Sequence, residues 1–231
     1  MNKKIGAGGC SHSSFGWGNP WHVFMGEDYD SEIISYSSTG AGNEMNIEKI
    51  KFILENNELD FLVCQLTEPS RFVVGTMRGE KEDGLHSSNI FQDSNYYTFN
   101  AHYNNNHLER IFGKEYDVDD FLLSNVIPSK YNLNYKIFHT MLTIKQLCEI
   151  YDVEVCFFSW YVDLKNLAKK SNYTNVIDKL NIIDGVVMNF ISERKLQPFD
   201  GHYNSEIHRV IYNDFIKPQL QNLIKKNGKR L

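Results

Sequence analysis

The run Asp60-Phe61-Leu62-Val63-Cys64-Gln65-Leu66 is almost continuously apolar, too short for a buried helix, and closed by the polar turn Thr67-Glu68-Pro69-Ser70-Arg71. A run of this kind fits a strand covered on both faces, as inside a parallel sheet, better than the half-wet strand of an antiparallel one. Val153 to Trp160 repeats the pattern, Ile33 to Tyr36 gives a shorter version, and Lys4 to Gly9 reads as a first strand despite its glycines. Helical patterns lie between these runs. Asn46 is placed to cap a helix in which Ile47, Ile50, Ile53 and Leu54 recur at helical spacing, ended by Asn56 and Asn57. Ile137, Met141, Ile144 and Leu147 share one side of a second helix that leads into the Val153 run.

Alternation of this kind predicts an α/β fold, a three-layer α/β/α sandwich around a mostly parallel sheet of roughly five strands. A last strand is expected near Gly185 to Phe190, although Ile182 to Ile191 reads equally as a helix. Beyond Asn204, Ile207, Val210, Ile211, Phe215, Leu220, Leu223 and Ile224 predict a helix packed on the sheet and kinked near Pro218. The 231 residues contain no obvious interior linker, so one domain is expected over 1–231. Within it, the stretch from Thr76 to Tyr135, rich in Asn, Tyr, His and Asp, reads as an irregular insertion or lid.

Composition removes several classes of function. A net charge of −5 supplies no basic surface for phosphate neutralisation, so no nucleic-acid partner is expected. Lys225, Lys226, Lys229 and Arg230 read as a solvated C-terminal tail. No apolar run approaches the roughly 20 residues of a membrane span. The basic start of the chain breaks into glycine where a secretory signal would be apolar, so a cytoplasmic protein is expected. Cys10, Cys64, Cys148 and Cys156 form no C-x-x-C pair, and His12, His202 and His208 have no carboxylate at ligand spacing, so neither metal nor cofactor is expected.

The chemistry-bearing residues lie at the two ends of the chain. Gly9-Cys10-Ser11-His12-Ser13 follows the first strand, where a glycine turn presents the next side chain at the carboxyl edge of the sheet, the edge at which ligands bind. Ser11 there is a candidate nucleophile that needs a base. Pro198-Phe199-Asp200-Gly201-His202 precedes the last helix, and residues two apart in an extended segment project to one side. Asp200 would then hold the imidazole of His202 while its other nitrogen takes the serine proton. Cys10 is a rival nucleophile, but a neighbour in an extended turn points away from Ser11. Phe15, Trp17 and Trp21 read equally as a wall for a sugar ring or as core.

In this order the motifs resemble the SGNH/GDSL hydrolases. Gly9-Cys10-Ser11 through Gly16 resembles the first block, Ser37-Ser38-Thr39-Gly40-Ala41-Gly42-Asn43 the second, the Asp60 strand the third, and Asp200-Gly201-His202 the last. The chain departs from the family in having Cys10 for an acidic residue, no asparagine in the third block, and a tighter Asp-x-His. The signature is similar to phage-encoded members with a comparable spacing. The resemblance implies a flavodoxin-like SGNH fold and an esterase or deacetylase acting on acyl esters of glycans, with virion association where the chain is phage-encoded. It assigns Ser11, His202 and Asp200 to catalysis and the backbone of Ser11 and Gly40 to the oxyanion hole; Asn43, Thr67, Gln65 and Arg71 are equal candidates to replace the missing donor. Thr67, Arg71 and Trp17 are expected to contact substrate. A non-catalytic binding or virion structural module on the same fold is the alternative.

Overall fold

The computed structural model describes residues 3–37, 42–68, 71–75, 96–100, 130–171, 173–198 and 202–226. Five strands form one all-parallel sheet: β1 (Lys3–Gly8), β2 (Ser31–Ser35), β3 (Phe61–Leu66), β6 (Glu154–Ser159) and β7 (Asn181–Ile182), in the order β2-β1-β3-β6-β7. β4 (Arg71–Gly75) and β5 (Tyr96–Asn100) pair antiparallel as a separate ribbon, with Arg71 opposite Asn100. The helices are α1 (Trp21–Tyr29), α2 (Asn43–Asn56), α3 (Lys130–Ile150), α4 (Leu164–Lys170), α5 (Thr174–Ile177), α6 (Val187–Glu193), α7 (Ser205–Ile211) and α8 (Lys217–Lys226).

The central strands show why the apolar runs are continuous. In β3, Phe61 and Val63 pack into a cluster with Trp21, Phe24, Met25 and the C-terminal helices, while Leu62, Cys64 and Leu66 pack into a second cluster with Ile50, Leu54, Ile137 and Met141. β6 divides likewise, Cys156 and Phe158 to the first cluster and Val155 and Phe157 to the second. Both faces are therefore dry, and hydrophobic burial holds the three layers together. The glycines of β1 leave room for side chains of the neighbouring β3 and of α2. A Cβ on Gly6 would lie 2.6 Å from Leu62 Cδ1, and one on Gly8 3.0 Å from Ile50 Cδ1.

β1 pairs with β2 on one side and β3 on the other. The chain leaves β1 for β2, then crosses back through α2 to β3, so the strand order reverses between β1 and β3. Ligands of open α/β sheets bind in the crevice at the carboxyl ends of such a pair.

Several boundaries differ from the sequence reading. The second strand is Ser31–Ser35, earlier than Ile33 to Tyr36, because pairing with β1 runs from Lys3↔Ser31 to Ala7↔Ser35. α2 begins at Asn43, not behind an Asn46 cap; Asn46 lies inside it, buried, its Nδ2 donating to Gln65 O at 3.4 Å. The last strand is the two-residue β7, and the span Gly185 to Phe190 instead holds a glycine at φ 87° followed by α6. The irregularity expected near Pro218 falls just before it, as a π-helical turn over Tyr212–Ile216. Pro218 has no N–H for the carbonyl four residues back, that of Asp214, so the widened turn sits where the helical ladder lacks a donor. α1 was not anticipated at all. Of the expected insertion, residues 76–95 and 101–129 lie outside the described residues. Among the described residues no helix is long and apolar enough to cross a membrane.

Candidate active site

From the carboxyl end of β1 the chain enters two successive 3₁₀ turns, Ser11–Ser13 and Phe15–Trp17. Ser13 N donates to Cys10 O at 2.9 Å, and Ser14 donates to Ser11 O through both its backbone N (3.1 Å) and its Oγ (2.9 Å). Ser13 is the hub beneath. Its Oγ donates to Gln65 Oε1 at 2.7 Å and accepts from Trp21 Nε1 at 2.7 Å, while its carbonyl accepts from His22 Nε2 at 2.9 Å. A carbonyl only accepts, so the His22 proton resides on Nε2. Ser13, Gln65, Trp21 and His22 are all fully buried, and Ser11 is 5% exposed above them. A closed set of buried hydrogen bonds of this kind fixes one conformation of the turn.

β3 thus supports the serine turn from below. Gln65 was a candidate oxyanion donor, but its Nε2 donates to Leu66 O and to Cys10 Sγ, both at 3.2 Å, and its Oε1 also accepts from Cys10 N at 3.4 Å. That amide braces the turn. Cys10 is completely buried against it, whereas Ser11 keeps a small exposure of 5%. Among the described residues the Ser11 hydroxyl makes no hydrogen bond.

Gly9 is required by this packing. A Cβ there would lie 2.3 Å from Ser13 Oγ and 2.8 Å from Gln65 Oε1. Gly9→Ala is expected to destabilise the protein by about 2–3 kcal/mol in urea unfolding. Gly16→Ala, where the nearest atom is Ser14 Oγ at 3.9 Å, should change stability by less than about 0.5 kcal/mol. Equal effects would contradict the turn described.

On the α2 side, Asn43 forms a reciprocal pair with the backbone of Thr67, accepting from Thr67 N at 2.9 Å and donating from Nδ2 to Thr67 O at 3.2 Å. The start of α2 and the end of β3 are thereby joined at the sheet edge. Thr67 is fully buried, and its Oγ1 has no hydrogen-bond partner among the described residues. Arg71 opens β4. Gly40 and Asp200 lie outside the described residues.

His202, from the far end of the chain, is brought to the same turn. Its ring stacks on Trp17 with centroids 3.5 Å apart and planes 7° from parallel, and it lies 5.4 Å from the ring of His12. His12 in turn stacks on Trp160 at 4.3 Å and 3°, with its Nε2 2.7 Å from the Tyr161 hydroxyl. The three aromatic residues read together in the sequence separate here. Trp21 is core, Phe15 is 62% exposed, and Trp17 is half-buried against the imidazole.

Sequence reasoning missed the support of the turn by Ser13, the His12–Trp160–Tyr161 group, and Lys49. Lys49 sits on α2 and is 2% exposed; burial lowers its pKa to about 8, with the Cys10 thiol acting in the opposite direction. Nothing in the sequence distinguishes it from a surface lysine of an amphipathic helix. Among the described residues no three His, Cys, Asp or Glu side chains are grouped to hold a metal ion.

No family model matches the chain, and no curated protein does either. Solved structures do. A lipase/acylhydrolase from Enterococcus faecalis aligns over 97% of this chain and 96% of its own at a TM-score of 0.51 and 12% identity. A GDSL-like lipase from Bacteroides thetaiotaomicron aligns over 97% and 89% at 0.50 and 10% identity. A putative acylhydrolase from Bacteroides fragilis aligns over 96% and 88%, also at 0.50 and 10%. At such identities the likeness is one of fold: an α/β fold with a five-stranded, all-parallel sheet flanked by helices.

Proposed function

We propose that the chain is a serine ester hydrolase in which Ser11 is the nucleophile, His202 the base and Asp200 the partner of His202. One observation carries this reading: a serine braced at the carboxyl edge of β1, at the point where strand order reverses, has at its turn a histidine ring from the opposite end of the chain. Ser11 Oγ attacks the ester carbonyl as His202 takes its proton. The imidazolium then passes that proton to the departing alcohol, leaving an acyl-serine. Water, activated by the same imidazole, releases the carboxylic acid and restores Ser11.

The negative charge of each tetrahedral intermediate falls to the backbone N–H groups of Ser11 and Gly40. Asn43 uses one amide hydrogen on Thr67 O, and its second is proposed as the third donor, in place of the asparagine absent from the third block. Arg71, just beyond the end of β3, is proposed to contact substrate; Thr67, fully buried directly after β3, is proposed to do so only through its Oγ1, unpartnered among the described residues, once substrate is seated. From the sequence resemblance alone, the acyl group is taken to be O-acetyl on a carbohydrate, with virion association where the chain is phage-encoded.

A second reading, a non-catalytic binding or virion structural module, draws on two observations: β3 runs into Thr67-Glu68 without an asparagine, and the Gln65 amide is committed to the turn. Incubation with p-nitrophenyl acetate and with acetylated glycans separates the two. The hydrolase releases acetate from both; glycan binding without acetate release would establish the module instead.

A further inference from the structure

The indole of Trp17 and the imidazole of His202 lie face to face, centroids 3.5 Å apart and 7° from parallel. At that separation the rings are in van der Waals contact across their faces, so the imidazole cannot rotate about its Cβ–Cγ bond without losing the contact. On another side stands the ring of His12, 5.4 Å away and tilted by 41°. His12 is itself fixed by the stack on Trp160 and the bond to Tyr161. His202 therefore sits between one ring that sets its plane and another that bounds its position. Trp17 belongs to the same pair of short turns as Ser11, so the group that sets the plane of the imidazole is built into the segment that presents the hydroxyl.

We propose that Trp17 is a positioning residue for His202, its indole fixing the plane of the imidazole relative to the Ser11 turn, rather than a stacking platform for substrate. The role rests on the Ser11–His202 reading above. One face of the indole is taken by the imidazole, so that face is closed to a substrate ring. Loss of the indole would leave binding in place and let the base sample unproductive orientations, and misalignment of a catalytic group lowers the rate of the chemical step.

The test is the concentration dependence of Ser11 labelling by an alkyl fluorophosphonate, a probe with no sugar to stack. Trp17→Leu is expected to lower the maximal labelling rate about tenfold while the half-saturating concentration stays the same, and Trp17→Phe, which keeps an aromatic face, is expected to recover most of the rate. An unchanged maximal rate in Trp17→Leu overturns the proposal; so does a loss confined to the half-saturating concentration, which would make Trp17 a substrate contact. A reading that needs no variant of Trp17 comes from proton NMR of the wild-type protein, with the His202 ring protons assigned by their disappearance in His202→Gln. Ring-current shielding by the indole should place them upfield of unstacked histidines, and ordinary positions would overturn the stack. Upfield resonances in a protein whose Ser11 takes no label would overturn the Ser11–His202 reading, and the role of Trp17 with it.

Discussion

Ser11→Ala and His202→Ala each lower the turnover of p-nitrophenyl acetate by about 10⁴-fold or more, and the double variant is no slower than the slower single one. The first expectation follows from the chemistry: without the hydroxyl no acyl-serine forms, and without the imidazole its proton has no acceptor. The second follows from the two acting as a unit, since once either is lost the other has nothing left to do. Folding should survive in both variants. The Ser11 hydroxyl makes no hydrogen bond among the described residues, and the turn is held through Ser13, Gln65, Trp21 and His22. Independent, multiplying losses in the double variant would show that Ser11 and His202 do not share one step.

Acid is expected to unfold the protein through two histidines that do no chemistry. His22 and His208 are buried, and burial lowers each pKa from 6.5 to about 4. For His22 the bond to the Ser13 carbonyl opposes the shift; for His208 the nearby His22 and His202 add to it. Above pH 6.5 both are neutral whether folded or not, and stability does not depend on them. As pH falls from 6.5 towards 4 the unfolded chain takes up the two protons and the folded one does not, so stability is lost across that window, by about 3 kcal/mol for each histidine. Together that is a large part of the 5–15 kcal/mol typical of a folded protein. Urea unfolding between pH 7 and pH 4.5 should show a slope approaching two protons, reduced to about one in His22→Gln, whose amide can still donate to Ser13 O. An unchanged slope in that variant would contradict the burial of a neutral His22.

The layers of the fold were legible where burial on both faces wrote itself as continuous apolar runs, as in β3 and β6. Elements fixed mainly by tertiary pairing were not. β7 is two residues long and exists because it lines up with Cys156 and Phe157. α1 packs Trp21, His22, Phe24, Met25 and Gly26 inward from nearly consecutive positions, so it has no amphipathic period to read. Asn46 looked like a cap because asparagine favours that place, yet its amide serves a bond to β3.

At the candidate site, the glycine-serine turn and the Asp-x-His segment were visible as types of residue in an expected order. What holds them was not. Ser13 and Gln65 lie far apart in the sequence and neither belongs to a motif in this pairing. Trp17 was read as a sugar platform or core because nothing local says that a histidine from the other end of the chain will cover one of its faces.

The claim that Ser11 is a nucleophile activated by His202 is tested most directly by treating the wild-type protein with an alkyl fluorophosphonate and locating the adduct by peptide mass spectrometry. The account predicts one phosphonylated residue, Ser11, and loss of the label in His202→Ala. A protein that stays unlabelled, or a label on Cys10 or another serine, would contradict it.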